Sequence, residues 1–219
     1  MYKGVQKWQC NNCGKHQREF YRQNCYDKEA EHRIVLLNNE GMGIRSIGRI
    51  LHIPKSSVQL LLLKASQQVK PPIYDESGQV YEVDELYAPV GVKLCFVIYA
   101  INRATRKVID YVTGARTKDN IGKVINKLLS LAPKKIYTDK LPLFSYIIPA
   151  KLHRVCKYKT NRIERKNLTL RTHIKRLSRK TICYSKSITM LEACFSLYVW
   201  KENETGLPAQ HQPNRTLSR

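Results

Sequence analysis

Acidic residues and long apolar runs are both scarce in this chain. It holds 17 Asp and Glu residues against 39 Lys and Arg residues, which gives a net charge of +22. No run approaches the roughly 18 apolar residues that a membrane-spanning helix needs, so we expect no membrane partner. The first residues, Met1 to Gln6, lack the apolar core of a signal peptide. We therefore expect a cytoplasmic protein.

The excess of positive charge predicts a polyanionic partner, because a folded chain of this charge repels itself. Nucleic acid is the partner that this charge favours, which would place the protein at the nucleoid. An anionic membrane surface is the alternative, but the sequence shows no long basic amphipathic helix with a clean apolar face. Apolar residues make up 42% of the chain and charged residues 26%, as in a folded globular protein.

The seven cysteines are odd in number, and four of them stand alone in apolar or basic runs. This pattern predicts reduced thiols and no disulfide framework. Cys10 and Cys13 have the spacing of a zinc knuckle and are candidate zinc ligands, but a structural zinc ion needs four ligands. Cys25 is a candidate third, and the spacing to His16 or His32 matches no common finger. Residues 1–26 are thus either a partial zinc-finger-like segment or a metal-free turn.

Residues 27–70 have the pattern of three short helices. Asp27 is a predicted cap of the first, Gly41 a predicted stop, and Ser56 a predicted cap of the third. A helix, a short turn and a second helix form the layout of a helix-turn-helix DNA-binding domain. The predicted groove-facing residues are Lys55, Ser57, Gln59 and Lys64. A plain three-helix bundle is the alternative. Residues 71–79, with Pro71 and Pro72, are a predicted linker.

Residues 80–203 are predicted to form an α/β domain with a mixed sheet flanked by helices. Three strands joined by short turns, near residues 80–86, 94–101 and 107–112, predict an antiparallel meander. A helix after Thr117 returns the chain to a parallel fourth strand at residues 135–138. A fifth strand is expected near Val155, followed by helices at about 162–177 and 188–201. We expect the polar tail, residues 204–219, to be disordered.

Three carboxylates are the candidate catalytic residues. Asp84 lies in the first strand and Asp139 ends the fourth, where open sheets bind ligands. Glu164 is the one acidic residue among 13 Lys and Arg residues between positions 151 and 186. Clustered carboxylates repel one another unless cations neutralise them, and magnesium or manganese beside a phosphate suits such a site. Glu85 is the alternative to Asp84, although strand alternation directs it to the opposite face of the sheet.

The basic segment around Glu164 predicts a track for DNA phosphates. Its alternative is a solvated helix face. Asn167 and Arg171 share the helix face of Glu164, and Arg171 is placed to hold a flanking phosphate. The other candidate DNA-binding residues of the segment are Arg154, Lys157, Lys159, Arg165, Lys175, Arg176, Arg179 and Lys180.

The run from Thr160 to Asn167, then Leu170-Arg171, then the segment from Lys175 to Ser187, closely resembles the Asp-Asp-Glu transposases of the bacterial insertion-sequence-one family. The 24 residues between Asp139 and Glu164 agree with that resemblance. It implies a ribonuclease-H-like catalytic domain in which Asp84, Asp139 and Glu164 bind magnesium. It also implies an N-terminal zinc finger with two Cys-x-x-Cys pairs. Only one pair is present, so we expect this copy to be truncated at its start or the first pair to lie in an upstream reading frame.

We therefore predict a transposase that binds the terminal inverted repeats of its element, cleaves a strand, and joins the 3′-hydroxyl to target DNA as a homo-oligomer. An inactive DNA-binding repressor is the first alternative. A nuclease without joining activity is the second.

Overall fold

The computed structural model describes residues 6–18, 28–155, 160–178 and 183–205. It begins with a two-stranded hairpin, β1 (Lys7–Gln9) and β2 (His16–Arg18). The turn between them holds Cys10 and Cys13, and the Cys10 amide donates to the Lys15 carbonyl. Several predictions fall on residues outside the described ranges: the cap at Asp27, the third zinc ligand at Cys25, the disordered tail beyond residue 205, and the basic residues Lys157, Lys159, Arg179 and Lys180.

Three helices follow: α1 (Lys28–Asn39), α2 (Ile44–Ile50) and α3 (Lys55–Gln68). Gly41 ends α1 with a φ of +79°, and the amides of Gly41 and Met42 donate to the carbonyls of Asn38 and Leu37. This pair of bonds satisfies the last carbonyls of the helix. The predicted cap at Ser56 is wrong, because the N-cap residue of α3 is Pro54, two positions earlier, and the helix begins at Lys55.

The turn between α2 and α3 is tight. The Ile53 amide donates to the Gly48 carbonyl at 2.9 Å. A Cβ atom added at Gly48 would lie 2.7 Å from the Ile53 carbonyl oxygen, so this close approach requires glycine. Ile34, Ile47 and Leu62 are fully buried between the three helices.

A five-stranded mixed sheet forms the rest of the molecule, in the order β5-β4-β3-β6-β7. β3 (Val80–Tyr87), β4 (Phe96–Asn102) and β5 (Val108–Gly114) form the predicted antiparallel meander. β6 (Lys135–Thr138) pairs in parallel with β3, and β7 (His153–Val155) pairs in parallel with β6. The mixed α/β sheet flanked by helices is confirmed.

Helices cover both faces of this sheet. On one face lie α4 (Lys118–Ser130), the helix predicted after Thr117, and the short helix α5 (Pro142–Ile147); the Thr117 hydroxyl caps α4. On the other face lie α6 (Asn161–His173) and α7 (Ile188–Thr205). A single helix through Leu177 was predicted, but α6 ends at His173 and a 3₁₀ turn, Lys175–Leu177, follows.

Two hydrogen bonds from side chains to the backbone hold the chain where it changes direction after α6. The Arg171 guanidinium donates to the Leu177 carbonyl at 2.6 Å, and the Ser178 hydroxyl donates to the Arg171 carbonyl at 2.9 Å. Ile174 and Leu177 are nevertheless buried, as their apolar spacing indicates.

Helix α7 is buried on two sides. Leu191, Phe195 and Val199 belong to the core beneath the sheet. Met190 and Leu197 instead pack with residues of α1, α2 and α3. The three-helix unit and the sheet therefore share α7 as a common wall. In the parts of the chain that the structure describes, no helix combines the length and the apolar character needed to cross a bilayer.

Candidate active site

The parallel pairing of β3 with β6 brings the first two predicted carboxylates together. Glu82 pairs with Tyr137, and each of Asp84 and Asp139 lies two residues farther along its chain. The two carboxylates therefore lie close together, just beyond the last pair of β3 with β6. One ligand oxygen from each of Asp84, Glu85 and Asp139 lies within 4.8 Å of the other two.

Glu85 approaches this cluster from the opposite side of β3. The neighbouring residues Val83 and Leu86 belong to the cores on opposite faces of the sheet, which confirms the strand alternation. Only 9% of the Glu85 side chain is exposed, and Arg116 Nη1 donates to its Oε1 at 3.1 Å. Its Oε2 is enclosed and accepts no hydrogen bond from the residues that the structure describes. The sequence ranked Asp84 above Glu85, and the structure brings both to Asp139.

Burial and like charge act together in this cluster. Burial raises the pKa of Asp84 to about 6, and the charges of Asp139 and Glu164 add to that rise. Burial also raises the pKa of Glu85 to about 7, with the charge of Asp139 as the next cause. Hydrogen bonds from Asn167 to Asp84 and from Arg116 to Glu85 oppose these shifts. The charged forms are thus costly without a cation.

Asn167 holds Asp84 through a chain of hydrogen bonds. The Tyr99 hydroxyl donates to Asn167 Oδ1 at 2.8 Å, and Asn167 Nδ2 donates to Asp84 Oδ2 at 2.6 Å. Tyr99 is fully buried in β4, so the hydroxyl that begins this series of hydrogen bonds has a fixed position. The sequence placed Asn167 among the DNA contacts, whereas the structure engages it with a carboxylate.

Glu164 lies on the first turn of α6, exposed, with its Oε1 accepting a bond of 3.1 Å from the Thr160 hydroxyl. Its charge reaches Asp84, since it contributes to the raised pKa of that residue. It lies outside the 4.8 Å group of Asp84, Glu85 and Asp139. The structure therefore brings two of the three predicted catalytic carboxylates into contact range and places the third nearby.

Glu82 is a site residue that sequence reasoning missed. It is fully buried in β3, on the same strand and face as Asp84. Its Oε2 accepts the backbone N–H of Ile163 at 3.0 Å, in the first turn of α6. Arg103 Nε lies 3.1 Å from its Oε1 as a charge partner. Burial raises the pKa of Glu82, and the Ile163 amide and Arg103 oppose that rise. The signal available was an acidic residue two positions before Asp84, on the same face of the strand.

The predicted DNA-binding residues differ in their surroundings. Lys55 and Gln59 of α3 are exposed, Ser57 is half-buried, and Lys64 Nζ lies 3.3 Å from Glu31 Oε2. In the basic segment Arg165 and Lys175 are exposed. Arg171 holds the turn after α6, and Arg176 Nη1 donates to the Ser185 hydroxyl at 3.1 Å.

The carboxylate cluster fits a hard divalent cation. Magnesium and manganese prefer carboxylate oxygens. A cation would offset the repulsion between the carboxylates and the cost of enclosing the Glu85 Oε2 atom without a hydrogen-bond donor.

The two cysteines form a weaker candidate metal site. Cys10 and Cys13 are exposed, and hydrogen bonds from the backbone of Cys13 and Asn12 lower the pKa of the Cys10 thiol. Within the described residues, no third ligand joins them to form a group.

A family model described as IS1 transposase matches residues 79–203. The Insertion element IS1 4 protein InsB of Escherichia coli (strain K12) is 35% identical over 120 residues, covering 54% of this chain and 72% of that protein. The Insertion element iso-IS1n protein InsB of Shigella dysenteriae is 36% identical over 124 residues, covering 56% and 95%.

Two solved structures are distantly similar to this chain, each with a TM-score below 0.5. The HTLV-2 integrase catalytic core domain in complex with magnesium (trimeric form) has a TM-score of 0.39 and 14% identity, covering 55% of this chain and 85% of that one. A simian T-cell lymphotropic virus intasome in complex with the PP2A regulatory subunit B56 gamma has a TM-score of 0.41 and 11% identity, covering 75% and 67%.

The segment that the family model matches spans more than half of the 219 residues and contains every member of the carboxylate cluster. The same segment is shared with curated insertion-element proteins at about 35% identity. An inactive repressor is accordingly not favoured. The chain belongs to the IS1 transposase family, and it is a transposase.

Proposed function

We propose that this transposase cleaves a DNA strand at the end of its insertion element and joins the resulting 3′-hydroxyl to target DNA by metal-dependent phosphoryl transfer. The observation that carries the proposal is the meeting of Asp84, Glu85 and Asp139 oxygens within 4.8 Å, just beyond the last parallel pair of β3 with β6. Acidic residues grouped at strand ends beside a cationic segment suit the chemistry of a phosphodiester.

The catalytic domain is assigned to the ribonuclease-H-like class. Its support is the strand order β5-β4-β3-β6-β7 with an antiparallel meander followed by parallel strands. The helix α6, which carries Glu164, packs on the face of the sheet to which Glu82 and Asp84 belong.

Asp84, Asp139 and Glu164 are the proposed ligands of magnesium or manganese. A metal ion held there would activate the oxygen nucleophile and neutralise charge on the leaving oxygen. Asn167 fixes the orientation of the Asp84 carboxylate through its hydrogen bond. Glu82 fixes the first turn of α6 and thereby the position of Glu164.

The proposed DNA partners are the element ends and the target. Binding of the element ends is assigned to α2 and α3, because the tight turn that packs against Gly48 suits a helix-turn-helix unit. The residues assigned to the groove are Lys55, Ser57, Gln59 and Lys64. The remaining phosphate contacts are assigned to Arg165, Lys175, Arg176, Arg179 and Lys180. A homo-oligomer acting on nucleoid DNA in the cytoplasm is part of the proposal. Zinc binding by Cys10 and Cys13 stays a prediction.

The test is a nicking and joining assay on DNA that carries the element ends, with magnesium present. We expect wild-type protein to nick and to form joined products. Asp139→Asn should lose both activities and retain DNA binding, whereas Asp75→Asn in the exposed linker serves as the matched control and should retain all three. No cleavage by wild-type protein that binds the ends would support the repressor. Cleavage without joined products would support a nuclease.

The DNA assignment is tested by fluorescence anisotropy across salt concentrations. Lys55→Ala should weaken binding to element ends and flatten the dependence of log affinity on log salt by about one, because one phosphate contact is lost. Gln59→Ala should weaken binding to the ends more than binding to random DNA. Equal losses on both DNAs would contradict base recognition by α3.

A further inference from the structure

Glu85 is enclosed in a way that the three proposed metal ligands do not explain. Its side chain is 91% buried, since only 9% remains exposed. One of its carboxylate oxygens lies within 4.8 Å of the Asp84 and Asp139 ligand oxygens. Its Oε2 is shut off from solvent and accepts no hydrogen bond from the described residues. A buried carboxylate oxygen without a donor is costly.

Arg116 compensates only part of that cost. It reaches Oε1 and not Oε2, and 43% of its own side chain is exposed, so solvent screens its charge. Two like charges, those of Asp84 and Asp139, lie close to the Glu85 carboxylate. The side chain thus has more negative neighbours than positive ones, the reverse of a stable buried ion pair.

The three carboxylates meet where the strand β6 ends. The β3–β6 pairing stops at Glu82 with Tyr137, before Asp84 and Glu85 are reached. Asp84 leaves β3 on one face and Glu85 on the other, while Asp139 stands where β6 has ended. Carboxylates from both faces of β3 and from the end of β6 therefore meet in one cluster, and magnesium takes carboxylate oxygens as ligands.

We propose that Glu85 is a direct ligand of the divalent cation, and that Asp84, Glu85 and Asp139 form a site that binds one ion without Glu164 and before DNA arrives. This inference rests on the proposed function, because it names a ligand of the same metal site. Glu164, exposed and bonded to Thr160, lies outside this group of three carboxylates.

The test is a titration of the full chain with Mn²⁺ in the absence of DNA. Electron paramagnetic resonance measures the free Mn²⁺ at each step. We expect Glu85→Gln to weaken the binding of the first ion at least tenfold, as Asp84→Asn does. Glu164→Gln should change it less than twofold. Glu76→Gln, an exposed acidic residue of the linker, is the control for general charge effects and should bind as wild type does.

Thermal unfolding in EDTA shows that the variant is folded. Because Glu85→Gln removes one of three clustered charges, its melting temperature without metal should equal or exceed that of wild type. The rise in melting temperature on adding Mn²⁺ should then be smaller than in wild type. A variant that melts lower without metal and gains the wild-type increment with Mn²⁺ would overturn the assignment.

The inference and the proposed function fail in different ways. Equal Mn²⁺ affinity of wild type and Glu85→Gln, or no Mn²⁺ binding by wild type at millimolar concentration, would overturn the Glu85 site even if wild type nicks DNA. Mn²⁺ binding that depends on Glu85, in a protein that never nicks, would uphold the site and refute the proposed reaction.

Discussion

The carboxylate of Glu82, buried in β3, accepts the backbone N–H of Ile163 at 3.0 Å in the first turn of α6. Two residues farther along β3 on the same face lies Asp84, and one residue after Ile163 lies Glu164. The strand that carries one acidic residue of the site thus anchors the helix that carries another. An acidic side chain at a helix N-terminus is also favoured by the helix dipole.

Replacing Glu82 should misplace α6. Glu82→Ala leaves Arg103 without its buried partner and the Ile163 amide without an acceptor, so the free energy of unfolding should fall by about 3–5 kcal/mol. Glu82→Gln keeps one acceptor oxygen but turns an amide NH₂ group toward either the Ile163 N–H or Arg103, so it should fold and yet nick DNA at least tenfold more slowly. Urea denaturation and the nicking assay measure the two effects.

The control is Glu29→Gln, which breaks the exposed pair between Glu29 and Arg33 on α1. It should change the free energy of unfolding by less than about 0.5 kcal/mol. Wild-type nicking by Glu82→Gln would refute a positioning role and leave Glu82 with a role in stability alone.

Loss of the Asn167 amide should loosen Asp84. Asn167→Ala removes the donor to Asp84 Oδ2 and the acceptor of the Tyr99 hydroxyl. Residues that orient metal ligands typically change activity or metal affinity by about 10–100-fold, so nicking should fall in that range. Leu168→Ala, on the exposed face of the same helix, should nick as wild type does. Reduced DNA affinity with unchanged turnover at saturating DNA would instead support the DNA-contact role that the sequence indicated.

The cluster predicts a sign for the pH dependence of stability in EDTA. The pKa of Asp84 is about 6 and that of Glu85 about 7 in the folded protein, above their ordinary values. Between about pH 4 and pH 7 the folded chain therefore binds more protons at these groups than the unfolded chain does. Their contribution to stability is present below about pH 4 and is lost as the pH rises through 6 and 7.

Urea denaturation of wild type and Asp84→Asn at pH 4 and pH 8 isolates this contribution. Wild type should lose on the order of 2 kcal/mol relative to the variant over that interval, given about 1.4 kcal/mol per pKa unit and some solvent screening. Magnesium at pH 8 should recover stability in wild type and little in Asp84→Asn. A pH-independent difference between the two proteins would contradict the raised pKa values.

The shared wall formed by α7 predicts cooperative unfolding. Leu62 of α3 is fully buried in the cluster that contains Met190 and Leu197 of α7. Leu62→Ala should lower the free energy of unfolding by about 2–5 kcal/mol. The tryptophan signal of Trp200 and the helical circular dichroism should still change at the same urea concentration. Leu60→Ala, where 66% of the side chain is exposed, should have little effect. Separate transitions would show that the two units unfold independently.

The sequence predicted the strands and helices well where apolar spacing decides them. The meander, the parallel β6 and the burial of Ile174 and Leu177 follow from periodicity, and Asp84 and Asp139 follow from the rule that parallel strand ends share an edge. The end of α6 could not be predicted from the apolar spacing. A hydrogen bond from the Arg171 side chain to the Leu177 carbonyl redirects the chain there without altering the apolar pattern.

Long-range partners were beyond sequence reasoning. Asn167 lies in a basic helix and therefore resembled a DNA contact, but its partner Asp84 is 83 positions away. Glu82 finds its donor 81 positions away, at Ile163. Glu85 was ranked below Asp84 because strand alternation directs it to the other face of the sheet. Because β6 ends early, Asp139 lies close to the carboxylates on both faces of β3.

The burial of α7 on two sides has a geometric consequence for the reaction. If α3 holds the terminal repeat, its distance from Asp84 is set by one continuous helix and not by the linker at residues 71–79. The number of base pairs between the recognised sequence and the scissile phosphate is then a fixed property of the fold, so that lengthening or shortening the linker should leave the cut position unmoved.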